Sequence, residues 1–189
     1  MATAKALKPQ KKAAGIGAAA VHAKTGKTWS EWFVLLDRAG ARRMNHKQIA
    51  AYVHDELHCS DWWSQMVTVG YEQERGLREK NQTPEGYQTS ASKTLSAPAA
   101  IVFEAWRDAK QRNRWLPRAP LAIRTATSPK SLRITWTEDA SAVDVMIYPN
   151  GEGKCQVSVS HRKLKGQRGV TQMKKYWAHA LVRLEKMLG

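Results

Sequence analysis

The spacing of apolar residues is helical in the first half of the chain. From Thr28 to Gly76, apolar side chains recur every three or four residues, which predicts three short amphipathic helices. Thr28 or Ser30, Asn45 and Ser60 precede these segments, and their side-chain oxygens are suited to accept a backbone N–H of the first turn. Three short helices with short connections pack as a bundle, so we expect their tryptophans to form a shared core.

The second half of the chain has the pattern of a mixed helix and sheet domain. A strand is followed by a helix that Pro98 opens, because proline suits the first helical turn, and by a second short helix ending near Trp115. Alternating apolar and polar positions then predict four strands with one buried face each. These strands are Leu121–Ile123, Leu132–Trp136, Val143–Ile147 and Cys155–Val159.

Two further signals complete this domain. Asn150 and Gly151 separate the last two strands and predict a hairpin turn there. From about Gln167 to Leu188 apolar residues form one stripe with lysines and arginines off it, which predicts a long helix packed across the sheet. We therefore expect an α+β fold, with an N-terminal three-helix bundle followed by an antiparallel sheet wrapped on a long C-terminal helix.

The expected domain organisation has four parts. Residues 1–24 are rich in Lys and Ala and lack aromatic residues, which predicts a flexible tail. Residues 25–80 form the bundle, residues 81–88 form a linker, and residues 89–189 form the second domain.

Charge is distributed unevenly along the 189 residues, whose formal net charge is +15. Residues 1–27 carry +6, residues 28–90 carry −2 and residues 91–189 carry +11. The positive charge therefore belongs to the tail and to the second domain. Surfaces of this kind attract anionic partners, whereas the slightly acidic bundle does not.

Composition narrows the class of protein. No apolar run reaches the ~20 residues that span a bilayer, and the Ala-rich start lacks the strongly apolar centre of a secretory signal. Cys59 and Cys155 fit neither a disulfide framework nor a metal pair. We therefore expect a cytoplasmic protein with no membrane span, and the sequence leaves its oligomeric state open.

The second and third helices could form a helix-turn-helix, in which the helix from Asp61 would enter the major groove of DNA. Residues 45–76 carry a net charge of −3, however, so the phosphates would repel them. The start of the third helix also offers Trp62 and Trp63, rather than Arg, Asn or Gln, to base edges. The bundle is therefore not expected to read DNA.

Motifs for catalysis or metal binding are weak. His54 and His58 are four residues apart and Cys59 adjoins them, but the metalloprotease pattern and a fourth ligand are missing. No phosphate-binding glycine loop is present, and no Ser/His/Asp set can be assembled from the sequence. We expect no metal and no cofactor, and a non-catalytic role is favoured over an enzyme.

The first domain carries a double tryptophan and a Gly-Tyr-Glu run within the segments Thr25–Trp32, Trp62–Glu72 and Arg75–Arg78. Through these segments, residues 24–80 resemble a small bacterial family of helical domains of unknown function. The resemblance implies a domain boundary and supplies no activity.

The second domain carries a more informative resemblance. Lys93–Pro98 reads Lys-Thr-Leu-Ser-Ala-Pro, Val102–Trp106 reads Val-Phe-Glu-Ala-Trp, and Trp115 follows a basic segment. Through these segments, residues 88–189 resemble the helix-grip superfamily of START lipid-transfer domains, the birch-pollen allergen and polyketide cyclases. Homologues of the activator of the heat-shock ATPase are the most similar branch.

This resemblance implies a small apolar or amphipathic ligand under the last helix, or assistance to a partner protein. The family usually has more than the four strands counted between Leu121 and Leu164, so a smaller cavity is expected here. The candidate cavity residues are Trp106, Trp115, Trp136, Val157, Val159, His161 and Trp177.

His161 is the most informative polar residue among these candidates. By alternation it follows Val157 and Val159 onto the apolar face, where it could bond a ligand or act as a base. At a strand end beside Arg162 and Lys163 it could instead point to solvent. The sequence assigns it no partner carboxylate.

Basic residues of the second domain fall into two groups, which are either a solvated surface or a site for an anionic partner such as nucleic acid, an acidic protein or a lipid headgroup. The first group surrounds the second short helix and consists of Lys110, Arg112, Arg114 and Arg118. The second group surrounds the start of the last helix and consists of Arg162, Lys163, Lys165, Arg168, Lys174 and Lys175.

Three hypotheses of function follow from the sequence. A non-catalytic protein that binds a small apolar ligand or assists a partner comes first. Sequence-independent binding of nucleic acid or another polyanion through the basic tail and second domain is the alternative. An enzyme of the cyclase type is third, because no acid–base residues can be shown to converge.

Overall fold

The computed structural model describes residues 12–189, and the chain divides into two compact units between Lys80 and Asn81. The expected α+β fold class is confirmed. The described part of the first unit is mainly helical, and the second unit contains a six-stranded antiparallel sheet and a long C-terminal helix.

Four α-helices form most of the first unit between residues 12 and 80. The last three are those that the apolar spacing predicted, and Ala41–Arg43 adds a single 3-10 turn. Thr28 and Asn45 both cap as expected, since each side chain accepts a backbone N–H of the first turn. The helices are Ala18–Thr25 (α1), Trp29–Arg38 (α2), His46–Asp55 (α3) and Asp61–Glu74 (α4).

The flexible tail expected over residues 1–24 is wrong for residues 12–24, which are folded. Trp29 Nε1 donates to the carbonyl of Ile16 at 3.1 Å, and Val21 is fully buried in the same core. The indole hydrogen bond and the buried valine, with four partly buried residues packed on the same core, thus hold a segment whose composition indicated a tail. Residues 1–11 lie outside the described residues. The segment begins with a hairpin of two short strands, Lys12–Ala13 (β1) and Ile16–Gly17 (β2).

The second unit is built on one antiparallel sheet, and the four strands predicted after residue 120 are all present. Along the sheet the order is β3-β4-β8-β7-β6-β5. The strands are Gln82–Thr83 (β3), Gly86–Leu95 (β4), Leu121–Thr127 (β5), Ser131–Trp136 (β6), Ser141–Pro149 (β7) and Cys155–Leu164 (β8).

The linker expected over residues 81–88 is wrong, because this segment is the edge of the sheet. Strand β3 pairs with the start of β4, with Thr83 opposite Gly86. Pro84 and Glu85 form the two-residue turn between them, and Gly86 has a φ of 123°. The turn residues that indicated a linker therefore close a hairpin.

Three helices, α5, α6 and α7, cover one face of the sheet; they are Ala99–Arg107, Ala109–Trp115 and Gly166–Leu188.

The expected hairpin between β7 and β8 is present, but five residues connect its strands, with Asn150 N–H bonded to the carbonyl of Lys154. A strand, two short helices, an antiparallel meander and a long final helix together make the helix-grip arrangement. Among residues 12–189, none of the helices has the length and apolar character that crossing a membrane requires.

Replacing Gly70 with alanine tests the packing of the first unit. A Cβ added at Gly70 in α4 would lie 2.6 Å from Cζ3 of Trp29, which is fully buried. We expect Gly70→Ala to lower the free energy of unfolding by about 1–3 kcal/mol, because the overpacked ring must move, although alanine favours helix. Urea denaturation followed by far-UV circular dichroism measures this change.

Gly169→Ala in α7 is the matched control. There the added Cβ meets only Leu164 Cβ at 3.7 Å, an ordinary contact. This variant should gain up to ~1 kcal/mol from helix propensity. Equal effects of the two substitutions would contradict the close contact between Gly70 and Trp29.

Candidate functional site

The space between α7 and the sheet is filled by the side chains that the sequence suggested as the lining of a cavity. Each of the seven has at most 3% of its surface exposed. A cavity that admits even a water-sized molecule would leave accessible surface on its walls. The expected ligand cavity at Trp106, Trp115, Trp136, Val157, Val159, His161 and Trp177 is therefore wrong, and these residues are packed core.

Aromatic rings in mutual contact account for this packing. Trp106 meets Trp115 edge to face with ring centroids 4.6 Å apart, and Trp177 lies 6.0 Å from Trp106 and 5.6 Å from Trp136. Tyr176 packs edge-on to Trp136 at 5.4 Å. These are the offset and perpendicular geometries that aromatic pairs favour, and they occupy the volume that a ligand would need.

His161 points into this core and not to solvent, and both of its ring nitrogens are used. Trp177 Nε1 donates to His161 Nδ1 at 3.0 Å, so Nδ1 carries no proton. The ring proton is then on Nε2, which donates to Ser141 Oγ at 2.7 Å. The hydroxyl of Ser141 in turn donates to the carboxylate of Asp139. The imidazole is thus a fully paired neutral group.

This chain of bonds differs from a nucleophilic triad. The serine lies between the carboxylate and the imidazole and gives its proton to the carboxylate, whereas a triad needs the imidazole to accept the serine proton. Burial lowers the pKa of His161 to about 4, against the opposing effect of Asp139. With no free nitrogen and no exposed surface, His161 serves the packing of the core.

The basic residues around α6 differ in their environments. Lys110, Arg114 and Arg118 are exposed and have no ion-pair partner among residues 12–189. Arg112 is half-buried, and its Nη1 donates to the carbonyl of Trp106 at 2.8 Å. Three free cations and one anchored guanidinium therefore share this short helix and the loop after it.

The second basic group does not form one surface. Arg162 pairs with Asp144 at 2.7 Å on the outer face of the sheet, and Lys163 Nζ lies 3.8 Å from Glu85. Lys165 precedes α7. Burial raises the pKa of Asp139, but the hydrogen bonds from Ser141, with a smaller contribution from nearby Lys165, lower it overall. Three further members of the group are exposed on α7 itself: Arg168, Lys174 and Lys175.

The solvent face of α7 is basic along its whole length. Arg168, Lys175, His179 and Lys186 follow one another at steps of seven, four and seven, which places them on one stripe opposite the buried residues. The stripe contains no acidic residue. The single acidic residue of the helix, Glu185, pairs with Lys93 of β4 at 3.0 Å.

Three residues of this surface were not assigned to either basic group from the sequence, although two of them were expected off the apolar stripe: His179, Arg183 and Lys186. The period of the last helix could have identified them, because their spacing from Arg168 and Lys175 is visible in the sequence. Arg183 also joins the two helices, since its Nε donates to the carbonyl of Trp115 at 2.7 Å. The solvent faces of α6 and α7 therefore meet at this bond.

Most carboxylates of the second unit are already engaged with its own residues. Ion pairs use Glu85, Glu104, Asp144 and Glu185. Asp108 caps α6 by accepting the N–H of Gln111 at 2.8 Å, and Asp139 accepts from Ser141. The unpaired cations of α6 and α7 therefore face solvent without neutralisation from their own unit.

The histidines of the first unit do not form a metal site. Helix α3 ends at Asp55, and His58 has a φ of 52° in the following turn, so His54 and His58 do not share a helical face. The ring nitrogens of His54 lie 2.7 Å from Asp55 and 2.9 Å from Asp61, and the hydrogen bond to Asp55 raises its pKa. Among the described residues, no group of three or more His, Cys, Asp or Glu side chains is arranged to hold a metal ion.

Comparison with solved structures finds similar folds at low sequence identity. An HSP90 activator from Plasmodium falciparum is 18% identical, and the match covers 55% of this chain and 97% of that one with a TM-score of 0.48. A START superfamily protein from Mycobacterium smegmatis matches 55% of this chain and 97% of its own at 11% identity and a TM-score of 0.47.

The Aha1 dimer from Colwellia psychrerythraea matches 53% of this chain and 95% of its own at 10% identity and a TM-score of 0.47. Each of these three matches covers about half of this chain. No protein-family model matches the chain, and no curated protein matches it.

The pH dependence of stability tests the role of His161. The pKa of about 4 lies below the usual 6.5, so the unfolded chain binds more protons between these values. This residue should therefore make the free energy of unfolding fall by about 3 kcal/mol as the pH is lowered from ~6.5 to ~4. Urea denaturation at pH 7 and pH 4.5, followed by tryptophan fluorescence, measures the loss.

His161→Gln is the control, because an amide can accept from Trp177 and donate to Ser141 without titrating. The variant should fold at pH 7 and lose clearly less stability at pH 4.5 than the unmodified chain. Identical pH dependence of the two proteins would show that His161 is not the neutral, fully paired group described above.

Proposed function

We propose that the second unit binds nucleic acid without sequence preference, through the solvent faces of α6 and α7. One observation carries this proposal. Arg168, Lys175 and Lys186 form a stripe along α7 with no acidic residue in it, and none of the three has an ion-pair partner among residues 12–189. An exposed row of unpaired cations on a rigid helix suits a regularly charged polymer.

The packing of the core favours this function over the two alternatives. Binding of an apolar ligand under α7 needs space that the tryptophan rings occupy. Catalysis of the cyclase type needs an acid or base that can reach a substrate, and both nitrogens of His161 are engaged inside the core. Recognition at the surface then remains, which includes assistance to a partner protein, and a basic surface favours a polyanion as the partner.

The dimensions of the stripe fit a nucleic-acid strand. Arg168 and Lys186 are about five helical turns apart, or about 27 Å at ~1.5 Å per residue. This corresponds to roughly eight nucleotides of one strand at ~3.4 Å each. Because Arg183 ties α6 to α7, Lys110 and Arg114 can extend the contact to the side of the stripe.

The kind of contact explains the lack of sequence preference. Lysine and arginine side chains on phosphates fix the position of a strand but carry no base information. The buried side of α7 is committed to the sheet, so the helix offers only its solvent face. Binding is then driven by release of counterions and weakens steeply with salt.

Removal of charge from the stripe tests the proposal. We expect the triple variant Arg168→Gln, Lys175→Gln, Lys186→Gln to bind a fluorescent 20-nucleotide single strand on the order of a hundredfold more weakly near 0.1 M salt. The slope of log affinity against log salt should fall by about 2. Fluorescence anisotropy over a series of salt concentrations measures both quantities.

The control removes the same charge from the hairpin of β5 and β6, with Arg124→Gln, Lys130→Gln, Arg133→Gln. All three side chains are exposed there, and Arg133 lies on the outer face of the sheet, so affinity should change about threefold or less. Equal losses of affinity in both triple variants would show that affinity depends only on the net charge of the protein, and would contradict a site on α7. Binding of an acidic protein but not of nucleic acid would also overturn the proposal.

A further inference from the structure

A pocket of about 300 Å³ lies between α6 and the loop that follows it. Three cationic side chains line it, from Lys110, Arg112 and Arg118, together with the amide of Asn113. No carboxylate lines the pocket, and the nearest acidic residue in sequence, Asp108, is occupied in capping the helix. The pocket is thus a concave region of positive charge within a basic surface.

The loop is held in the conformation that forms the pocket. Arg118 has a φ of 52°, and its backbone N–H donates to Asn113 Oδ1 at 3.1 Å. This bond turns the chain back over α6. It also fixes the amide of Asn113, so that its oxygen is used and its NH₂ group remains as a donor.

Arg112 forms the rigid side of the pocket. Its Nη1 donates to the carbonyls of Trp106 at 2.8 Å and Arg107 at 3.1 Å, which fixes the plane of the guanidinium. The remaining N–H groups have no acceptor among residues 12–189. Burial, which takes part of the water from the guanidinium, lowers the pKa of Arg112 against the opposing effect of Asp108. An anion that replaces this water would recover part of the lost hydration free energy.

We infer that this pocket holds one phosphate group, through Lys110, Arg112, Arg118 and the NH₂ group of Asn113. Arginine and lysine with an amide donor match the oxygens of a phosphate, and Leu116 and Ala119 form an apolar wall where an attached sugar fits. The inference rests on the proposed function in taking phosphate as the group recognised. The pocket would hold one phosphate group at a fixed position, whereas the stripe on α7 contacts phosphates without a fixed position.

Titration of the ¹⁵N-labelled full chain with AMP tests the pocket directly. We expect saturable shifts of two NMR signals, the backbone amide of Arg118 and the side-chain amide of Asn113. Adenosine, which lacks the phosphate, should leave both signals unchanged, as should sodium chloride at equal ionic strength. Shifts that adenosine or salt reproduces, or no shift with AMP, would overturn the inference.

Paired variants assign the effect to the pocket. Lys110→Gln with Arg118→Gln should weaken AMP binding at least tenfold, while Arg124→Gln with Lys130→Gln removes equal charge elsewhere and should leave it unchanged. Ala109→Glu keeps every cation but places a carboxylate in the lining, and should also abolish the shifts. A tetra-aspartate peptide that shifts the same amides as strongly as AMP would overturn the choice of phosphate.

Oligonucleotides distinguish the source of the phosphate and separate this inference from the proposed function. Equal shifts with 5′-phosphorylated and unphosphorylated 12-nucleotide strands assign the pocket to backbone phosphates, and shifts confined to the phosphorylated strand and AMP assign it to terminal or free phosphates. If AMP shifts both amides while the stripe variant binds strands normally, the pocket stands and the role of α7 fails. If strands bind through α7 while AMP causes no shift, the pocket alone fails.

Discussion

Trp177 determines how the long helix lies on the sheet. Its ring is in contact with those of Trp106 and Trp136, and its N–H donates to His161 on β8. A buried hydrogen bond inside an aromatic cluster is directional, so it fixes the rotation of α7 as well as its position. Once Trp177 points to the sheet, Arg168, Lys175 and Lys186 must point away from it. The basic stripe is therefore a consequence of the core.

The aromatic cluster around Trp177 also fills the space between α7 and the sheet in which a ligand would bind. Helix-grip domains can leave a space between the final helix and the sheet, but here five bulky aromatic side chains meet in it: Trp106, Trp115, Trp136, Tyr176 and Trp177. His161, which burial keeps neutral and which makes two hydrogen bonds, completes this packing. With the interior filled, the second unit has only its surface for recognition. That surface carries an excess of cations because residues 91–189 have a net charge of +11, and most carboxylates of the unit are already engaged.

Much of the fold was predictable because periodicity and end signals are local. The helices α2 and α3 begin after Thr28 and Asn45 as expected, and the final helix begins within one residue of its predicted start. Residues 12–24 and 82–88 were mispredicted because neither segment has an apolar period of its own. The first is held by packing and by the hydrogen bond from Trp29 to Ile16, and the second by hairpin pairing at the edge of the sheet.

The sequence by itself determined the fold class, the order of the helices α2 to α4 and of the elements β4 to α7, and the unequal distribution of charge, since each follows from residue types and their spacing. Tertiary structure decided whether the seven candidate residues line a cavity or fill it. An alternating pattern shows that Val157, Val159 and His161 are buried, but not whether facing side chains touch. Only the packed structure shows whether they touch, because contact depends on the volumes of the side chains that α5, α6, α7 and the sheet contribute. The positions of the free cations followed from the same packing.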